Sequence, residues 1–302
     1  MPRDPMATAD VVALHGSLSN WGRWGPDDQL GALNLVTPEV TAAAAATVRS
    51  GQTVSCARPL NTEAAADNPA PVAHHMIGTA TEGWGADYFA LAPHGFATSH
   101  IDALCHIFYE GKLFNGYAAD TVTAHGATRL GIHHLQDGIV TRGVLLDIPS
   151  VRGVDALQPG EAIFPEDLEA AEERAGLRVR PGDALLVRTG RWVWRATHGP
   201  WNVAAQAAGL DAACLAWLRE RDVATLGSDA VSDVMPSRVE GVGMPIHEIA
   251  IVALGLHLMD NLDLDALAAV CADEGRWGFL FVVAPLVLRR GTASPVNPIA
   301  VF

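Results

Sequence analysis

The sequence predicts an α/β protein, because short β-rich runs alternate with helical segments along most of its 302 residues. Apolar residues make up 49% of the chain, which is enough for a sizeable buried core. No Gly/Ser-rich linker and no repeat with a period of roughly 20 to 50 residues divides the sequence. We therefore expect a single domain over residues 18–302, preceded by an N-terminal tail over residues 1–17.

The first predicted helix begins at Thr37. The Thr37 hydroxyl can cap the helix, Pro38 suits the first helical position, and Glu39 places an acid in the first turn. Gly51 is expected to lie just beyond the end of this helix. Residues 52–57 then have the composition of a strand.

The next predicted elements are two strands, over residues 87–91 and 98–107, joined by a turn at residues 93–95. A polar loop over residues 61–72 precedes them. The second of these strands carries the densest group of metal-ligating side chains in the sequence.

The C-terminal half supplies most of the alternation between strands and helices. Strands are predicted at residues 143–148, 184–189, 223–226 and 277–283, and helices at residues 165–175, 211–221 and 247–256. Gly176 is placed to end the helix over residues 165–175. Residues 227–233 combine glycine with short polar residues, as in the loops beyond strand ends where α/β folds bind ligands.

The charge of the chain excludes some classes of partner. Its 34 acidic and 20 basic residues give a net charge of −14, and the sequence contains no Lys/Arg cluster. Nucleic acid and anionic membranes both require a basic face, so we expect neither as a partner. The four cysteines have no metal-site or disulfide-scaffold spacing, and no signal-peptide segment is visible, which together predict a cytoplasmic protein with reduced thiols.

Residues 94–106, with the sequence His-Gly-Phe-Ala-Thr-Ser-His-Ile-Asp-Ala-Leu-Cys-His, contain three histidines and a carboxylate. In an extended strand, His100 and Asp102 lie on the same face with Cβ atoms about 6.5 Å apart. Imidazole and carboxylate ligands suit Zn²⁺ or Mn²⁺, so we expect these two residues to bind one or two divalent cations. His106 is expected to act as a general acid/base, unless the chain turns early enough to make it a ligand.

His94 has two alternative interpretations. An extended path would place it roughly 20 Å from His100, so it can reach the same cation only if residues 95–99 bend sharply. We predict this bend, and with it His94 as a metal ligand. The alternative is a loop histidine that is hydrogen-bonded to the backbone.

The residues around this motif resemble the metal-dependent "putative cyclase" family, which includes bacterial kynurenine formamidase and isatin hydrolase. The family signature is His-x-Gly-Thr-His-x-Asp-x-Pro-x-His, and residues 99–102 together with His106 match most of its second half. Leu104 occupies the proline position and Phe96 the position of the first histidine. His94 is the nearest substitute for that missing histidine.

The resemblance covers nearly the whole chain, because residues 20–34 and 291–298 are similar to the terminal blocks of the longer bacterial members. It implies a compact α/β/α fold around a central, partly barrel-like mixed sheet. It also implies that His247 lies near the metal. Asp260 stands where the family commonly has glutamate, and the resemblance implies that it is the corresponding acidic residue at the metal.

The first functional hypothesis is hydrolysis, in which a metal-activated water attacks a carbonyl and His106 transfers the proton to the leaving group. The resemblance implies a cyclic amide, imide or lactone, or an N-formyl arylamine, as substrate. The same residues could instead serve a lyase or cyclase that acts through an enolate, or a non-catalytic metal-dependent binding protein. A Gly-x-Ser-x-Gly elbow, a P-loop and a dinucleotide-binding motif are all absent from the sequence.

The substrate contacts and the oligomeric state are the least specific predictions. Trp24, Phe96, His74 and His75 are candidates to contact a small-molecule substrate, although aromatic residues are also common in cores and tandem histidines are also common on exposed loops. The apolar chain, with a mean hydropathy of +0.18, and its similarity to the family predict a homodimer or homotetramer.

Overall fold

The computed structural model describes residues 4–302 of the chain. The helices are α1 (Thr8–Ser17), α2 (Pro38–Ala45), α3 (Ile148–Arg152), α4 (Pro165–Ala175), α5 (Arg191–His198), α6 (Cys214–Glu220), α7 (Pro245–Ile249) and α8 (Asp265–Glu274). The strands are β1 (Thr53–Ser55), β2 (Ala73–Gly78), β3 (Ala86–Ala90), β4 (His100–Asp102), β5 (Val122–Thr123), β6 (Gly126–Ala127), β7 (Ile139–Asp147), β8 (Ala162–Ile163), β9 (Ala184–Arg188), β10 (Gly209–Leu210), β11 (Thr225–Ser228), β12 (His257–Asp260), β13 (Gly278–Val283), β14 (Ala293–Pro295) and β15 (Ile299–Val301).

Nine strands form one mixed sheet in the order β1-β15-β13-β7-β9-β11-β12-β4-β14. The four central strands, β7, β9, β11 and β12, are parallel to one another, and antiparallel strands extend the sheet on both sides. The sheet is curled into a half-barrel within a single α/β domain. The predicted fold class is therefore confirmed.

The parallel strands form the most buried part of the sheet. Every residue of β9 and β11 is buried, and the C-terminal half of β7 is buried without alternation. Such continuous burial is expected where helices or loops cover both faces of a parallel sheet. Helices α2 and α4 pack against β7, and α8 packs against β1.

Local sequence signals predicted several elements well. Helix α4 has the predicted bounds, and Gly176 ends it in the left-handed conformation at φ 62°. The predicted strand over residues 98–107 is wrong beyond its first residues, since only His100–Asp102 forms a strand. The chain turns immediately afterwards, with the His106 N–H donating to the Ala103 carbonyl at 3.0 Å.

The predicted N-terminal tail is also wrong over residues 8–17, which form α1. Val11 is buried, and α1 packs against α7 near the candidate site. The Asp10 carboxylate accepts a hydrogen bond from the Ala7 N–H at 3.2 Å, which stabilises the start of the helix. The part of the predicted tail at residues 1–3 lies outside the described residues.

Residues 73–78 and 86–90 form the antiparallel hairpin β2–β3, which lies outside the nine-stranded sheet. The hairpin exposes most of both its strands to solvent. Among residues 4–302, no helix combines the length and the apolar character required to span a membrane.

Asp229 joins the ends of two central strands beside the candidate site. Its buried carboxylate accepts hydrogen bonds from the Thr189 N–H and hydroxyl and from the Gly190 N–H, each at 2.8 Å, and from the Arg191 N–H at 3.3 Å. Gly190 has φ 77°, and a Cβ there would approach backbone atoms to 2.8 Å. The carboxylate and this glycine thus set the direction in which α5 leaves β9.

We expect Asp229→Ala to lower the free energy of unfolding by about 3 kcal/mol or more, because four buried donors lose their acceptor. Urea denaturation followed by circular dichroism measures the change. Asp273→Ala, at an exposed position of α8, is the control and should change stability by less than about 0.5 kcal/mol. Equal effects of the two substitutions would contradict the stabilising role assigned to the Asp229 carboxylate.

Candidate metal centre

Strands β4 and β12 place three metal-ligating side chains on one face of the sheet. His100 and Asp102 alternate along β4, and the antiparallel register puts Asp260 opposite His100. All three are buried, and one ligand atom from each lies within 4.8 Å of the others. Because Asp260 is the last residue of β12, the group lies at the strand end where α/β proteins bind ligands.

A loop and a turn bring two further histidines to Asp102. Residues 93–98 bend, and Nδ1 of His94 lies 3.0 Å from Oδ1 of Asp102. The turn after Ala103 brings Nε2 of His106 to 3.9 Å from Oδ2 of the same carboxylate. The rings of His94 and His106 stack with their centroids 3.7 Å apart. The bend that ligation by His94 requires is present, and His94, Asp102 and His106 form a second group of potential ligands.

Asp233 orients His247, which lies in the short helix α7. The Asp233 carboxylate accepts hydrogen bonds from the N–H groups of Ile246 at 2.7 Å and His247 at 3.1 Å, and lies 2.6 Å from Nδ1 of His247. Nε2 of His247 is then 3.2 Å from Oδ2 of Asp260 and 3.7 Å from Oδ2 of Asp102. A carboxylate on the far nitrogen of a histidine fixes its tautomer and its orientation toward a metal.

Other hydrogen bonds prepare His100 and Asp260 in the same way. Nδ1 of His100 lies 2.8 Å from the Thr98 carbonyl oxygen, which can only accept, so Nδ1 carries the hydrogen. Nε2 of His100 therefore presents a lone pair to the centre, 3.4 Å from Oδ1 of Asp102. The Ser232 hydroxyl donates to Oδ1 of Asp260 at 2.8 Å and leaves Oδ2 free to face His247.

The ionisation of the centre follows from burial and from the neighbouring charges. Burial raises the pKa of Asp102, but the adjacent imidazoles of His94, His100 and His106 outweigh it and hold the pKa well below its usual value. Burial lowers the pKa of His106 to about 4, although Asp102 opposes the shift. His106 is therefore neutral near pH 7, the form in which an imidazole binds a metal or accepts a proton.

Two buried atoms at the centre lack an aligned hydrogen-bond partner. Oδ1 of Asp102 and Nδ1 of His94 are 3.0 Å apart without the alignment of a hydrogen bond, and neither has another partner within residues 4–302. Buried polar atoms without a partner are rare in native proteins and cost stability. A divalent cation held by the carboxylate and the imidazoles would satisfy both atoms.

Asp102 belongs to both groups of potential ligands. Its Oδ1 faces His94 and His100, and its Oδ2 faces His106 and His247. Both oxygens therefore face imidazole nitrogens, so the carboxylate could contribute to the binding of one cation or of two. The residues present therefore fit one or two divalent cations.

The predicted substrate contacts lie in different places. Phe96 is half-buried on the loop that follows His94, and it packs against the small cluster of Val203, Ala207 and Val231. Trp24 is half-buried and packs against the main core. His74 and His75 lie on the exposed strand β2, and neither forms a hydrogen bond or ion pair with the metal centre. The roles of these four residues in substrate binding stay predictions.

Sequence reasoning did not single out Asp233, Ser232 or Thr292. The first two lie in the loop over residues 227–233, whose composition did predict a ligand-binding position. Thr292 belongs to the C-terminal block, and its hydroxyl lies 2.9 Å from Nε2 of His94. These three residues act through contacts with distant parts of the chain. The only signals in the sequence were therefore the composition of the loop over residues 227–233 and the similarity of residues 291–298 to the C-terminal block of the family.

The sequence itself identifies the family to which this fold and site belong. The family model described as "Putative cyclase" matches residues 17–233, and the chain belongs to this family. The resemblance first seen around residues 99–106 is thereby confirmed. No curated protein matches the sequence.

Solved structures share the fold over most of the chain. A structure described as a novel cyclase is 31% identical, with a TM-score of 0.85, and the alignment covers 95% of this chain and 99% of that one. Isatin hydrolase A from Ralstonia solanacearum is 21% identical, with a TM-score of 0.57 and coverage of 87% and 97%. A predicted metal-dependent hydrolase from Bacillus stearothermophilus is 18% identical, with a TM-score of 0.54 and coverage of 82% and 97%.

We expect Asp102→Asn to weaken the binding of a divalent cation by at least about tenfold, because the substitution removes the central negative charge and one oxygen ligand. Elemental analysis of the purified protein and titration with Zn²⁺ or Mn²⁺ measure the effect. His125→Ala, at an exposed histidine, is the control and should bind like the wild type. Wild-type affinity in Asp102→Asn would contradict this assignment.

Proposed function

We propose that this protein is a hydrolase that depends on Zn²⁺ or Mn²⁺. Its proposed substrate is a cyclic amide, imide or lactone, or an N-formyl arylamine. The observation that carries the proposal is the buried Asp102 carboxylate, which has imidazole nitrogens of four histidines within 3.9 Å, namely His94, His100, His106 and His247. The fold shared with isatin hydrolase A and with a predicted metal-dependent hydrolase supports the same reaction class.

Four buried side chains and His94, which lies on the loop before β4, would hold the cation. They are His94, His100, Asp102, His247 and Asp260. When bound, a divalent cation polarises a carbonyl and lowers the pKa of a coordinated water toward neutrality. His100 and Asp102 are almost fully buried and can only face the cation, whereas His94 and His106 are partly exposed and border the space open to a substrate.

His106 is the proposed general acid/base. Its side chain is 26% exposed and neutral near pH 7, so it can accept the proton from water as the water oxygen bonds to the carbonyl carbon. It can then donate this proton to the leaving nitrogen or oxygen as that atom separates from the carbonyl carbon. The turn after Ala103 also brings His106 within reach of a cation, so its role has to be separated from ligation by experiment.

A cysteine nucleophile is a poor alternative. Cys105 is adjacent to His106, but burial raises the pKa of its thiol to about 12, which leaves almost no thiolate at neutral pH. A metal-dependent lyase or cyclase would use the same donors without consuming water. A binding protein without turnover would not need the partly exposed His106.

The test of the reaction class is a substrate panel combined with isotope labelling. The metal-loaded protein is assayed with an isatin-like lactam, a cyclic imide, a lactone and an N-formyl arylamine in H₂¹⁸O. Hydrolysis places one ¹⁸O in the product carboxylate. Turnover without incorporation would favour a lyase or cyclase, and no turnover on any member would favour a binding protein.

We expect His106→Ala to reduce kcat by roughly 10²- to 10⁴-fold and to leave metal binding unchanged, as is usual for loss of a general acid/base. Steady-state kinetics and metal titration are measured on the same preparation. His134→Ala, outside both ligand groups, is the control. A parallel loss of metal and activity would make His106 a ligand instead.

The exposed apolar surface supports a homo-oligomer, which we propose as the form of the enzyme. Hairpin β2–β3 exposes Met76, Ile77 and Phe89, and the nearby segment over residues 286–288 is exposed and apolar as well. A groove of about 270 Å³ is lined by Phe89 and by Leu286 and Leu288 of this segment. A two-stranded hairpin with both faces in water is marginally stable, so a second copy of the chain is the proposed partner.

We expect light scattering to give a mass of at least twice 31.8 kDa at micromolar concentration. Ile77→Asp should shift the equilibrium toward the monomer, because it places a charge in the proposed interface. Val154→Asp, at another exposed apolar residue, is the control and should leave the mass unchanged. A wild-type monomer would overturn the proposal.

The cytoplasmic location stays a prediction. The four cysteines are free and buried.

A further inference from the structure

We propose that Arg191 and Asn261 form a latch that positions His94, an inference that rests on the proposed metal centre. The latch consists of the hydrogen bonds from these two side chains to backbone carbonyls of the loop over residues 94–98. Both side chains act through the backbone of this loop, so they are positioning residues.

The loop over residues 94–98 turns its carbonyl groups toward the latch. Nδ2 of Asn261 donates to the carbonyl oxygens of Gly95 at 2.8 Å and Thr98 at 3.1 Å. Nη2 of Arg191 donates to the carbonyl oxygen of Phe96. Three of the five carbonyls in this loop are therefore held by two side chains, and the loop carries His94 at one end and leads to His100 at the other.

Asn261 is suited to this position by its chemistry and its backbone conformation. It is fully buried, directly follows Asp260 and has φ 58°, a conformation that asparagine tolerates better than most residues. Its N–H donates to the Ala230 carbonyl at 2.9 Å, and its carbonyl accepts from the Ser99 hydroxyl at 2.7 Å. Only a side chain with both an acceptor and two donors can bind the loop and Arg191 together.

Arg191 completes the latch from α5. One guanidinium nitrogen, Nη1, donates to Oδ1 of Asn261, and the other, Nη2, donates to the loop. The side chain is buried, with its guanidinium carbon 4.3 Å from the Trp192 ring centroid. Its ion pair within residues 4–302 is with Asp67 and is long, with Nη2 of Arg191 at 4.0 Å from the carboxylate.

Burying a guanidinium whose counter-ion is as distant as 4.0 Å costs stability, and hydrogen bonds to neutral acceptors offset only part of this cost. A loop that required only stability could be held by neutral side chains. The contacts of Arg191 are made instead with the segment that carries His94. The metal centre therefore depends on these bonds, because Nδ1 of His94 reaches Asp102 only while the loop stays bent.

The experiment measures Co²⁺ binding and its visible absorption spectrum in Asn261→Ala, Arg191→Met and Arg191→Lys. We expect Asn261→Ala and Arg191→Met to weaken Co²⁺ binding by about 10- to 100-fold and to alter the spectrum. Losses of this size are usual when a residue that holds the metal ligands in place is removed. Arg191→Lys should recover part of the affinity, since it retains one donor. Asn68→Ala removes an asparagine that bonds two carbonyls of another loop, and should bind Co²⁺ normally.

A double-mutant cycle separates positioning from general destabilisation. If the latch acts through His94, the combined variant His94→Ala/Asn261→Ala should bind Co²⁺ no more than about threefold more weakly than His94→Ala alone. Additive losses, or normal affinity in Asn261→Ala and Arg191→Met with only a lower Tm, would overturn the latch. A wild type that binds Co²⁺ but hydrolyses nothing would overturn the proposed reaction and leave the latch standing. A wild type that binds no Co²⁺ would overturn both.

Discussion

The Asp102 carboxylate is the group on which the site depends. It is almost fully buried, and burial of a negative charge is costly unless other groups compensate for it. Nitrogens of four histidines surround it at 3.0 to 3.9 Å, and these histidines come from a strand, a loop, a turn and a helix. The fold therefore brings four separate segments of the chain to one carboxylate.

Rigid and irregular parts of the chain contribute differently to this arrangement. The register between β4 and β12 sets His100, Asp102 and Asp260 directly, because cross-strand neighbours share a face of the sheet. The remaining histidines lie on a loop, a turn and a short helix, and they depend on individual contacts such as that between Asp233 and His247. This is why polar residues outside the ligand set have specific functions here.

Elements whose ends are set by neighbouring residues were predicted better than elements that depend on contacts with distant parts of the chain. Helix α4 was predicted within its bounds because its start and its end at Gly176 are local signals. The strand over residues 98–107 was overextended, since its apolar composition reflects burial of a turn. The predicted tail missed α1, whose burial of Val11 depends on a contact with α7, more than 200 residues later.

By itself the sequence determined the α/β class, the family and the pairing of His100 with Asp102, because each depends on spacing along the chain. The tertiary structure decided how the other residues of the site are brought together around Asp102. It turned the chain after Ala103, so that His106 faces Asp102, and it bent the loop that brings His94 to the same carboxylate. Bends of this kind are stabilised by hydrogen bonds to partners distant in sequence, such as Asn261, and no local pattern records them.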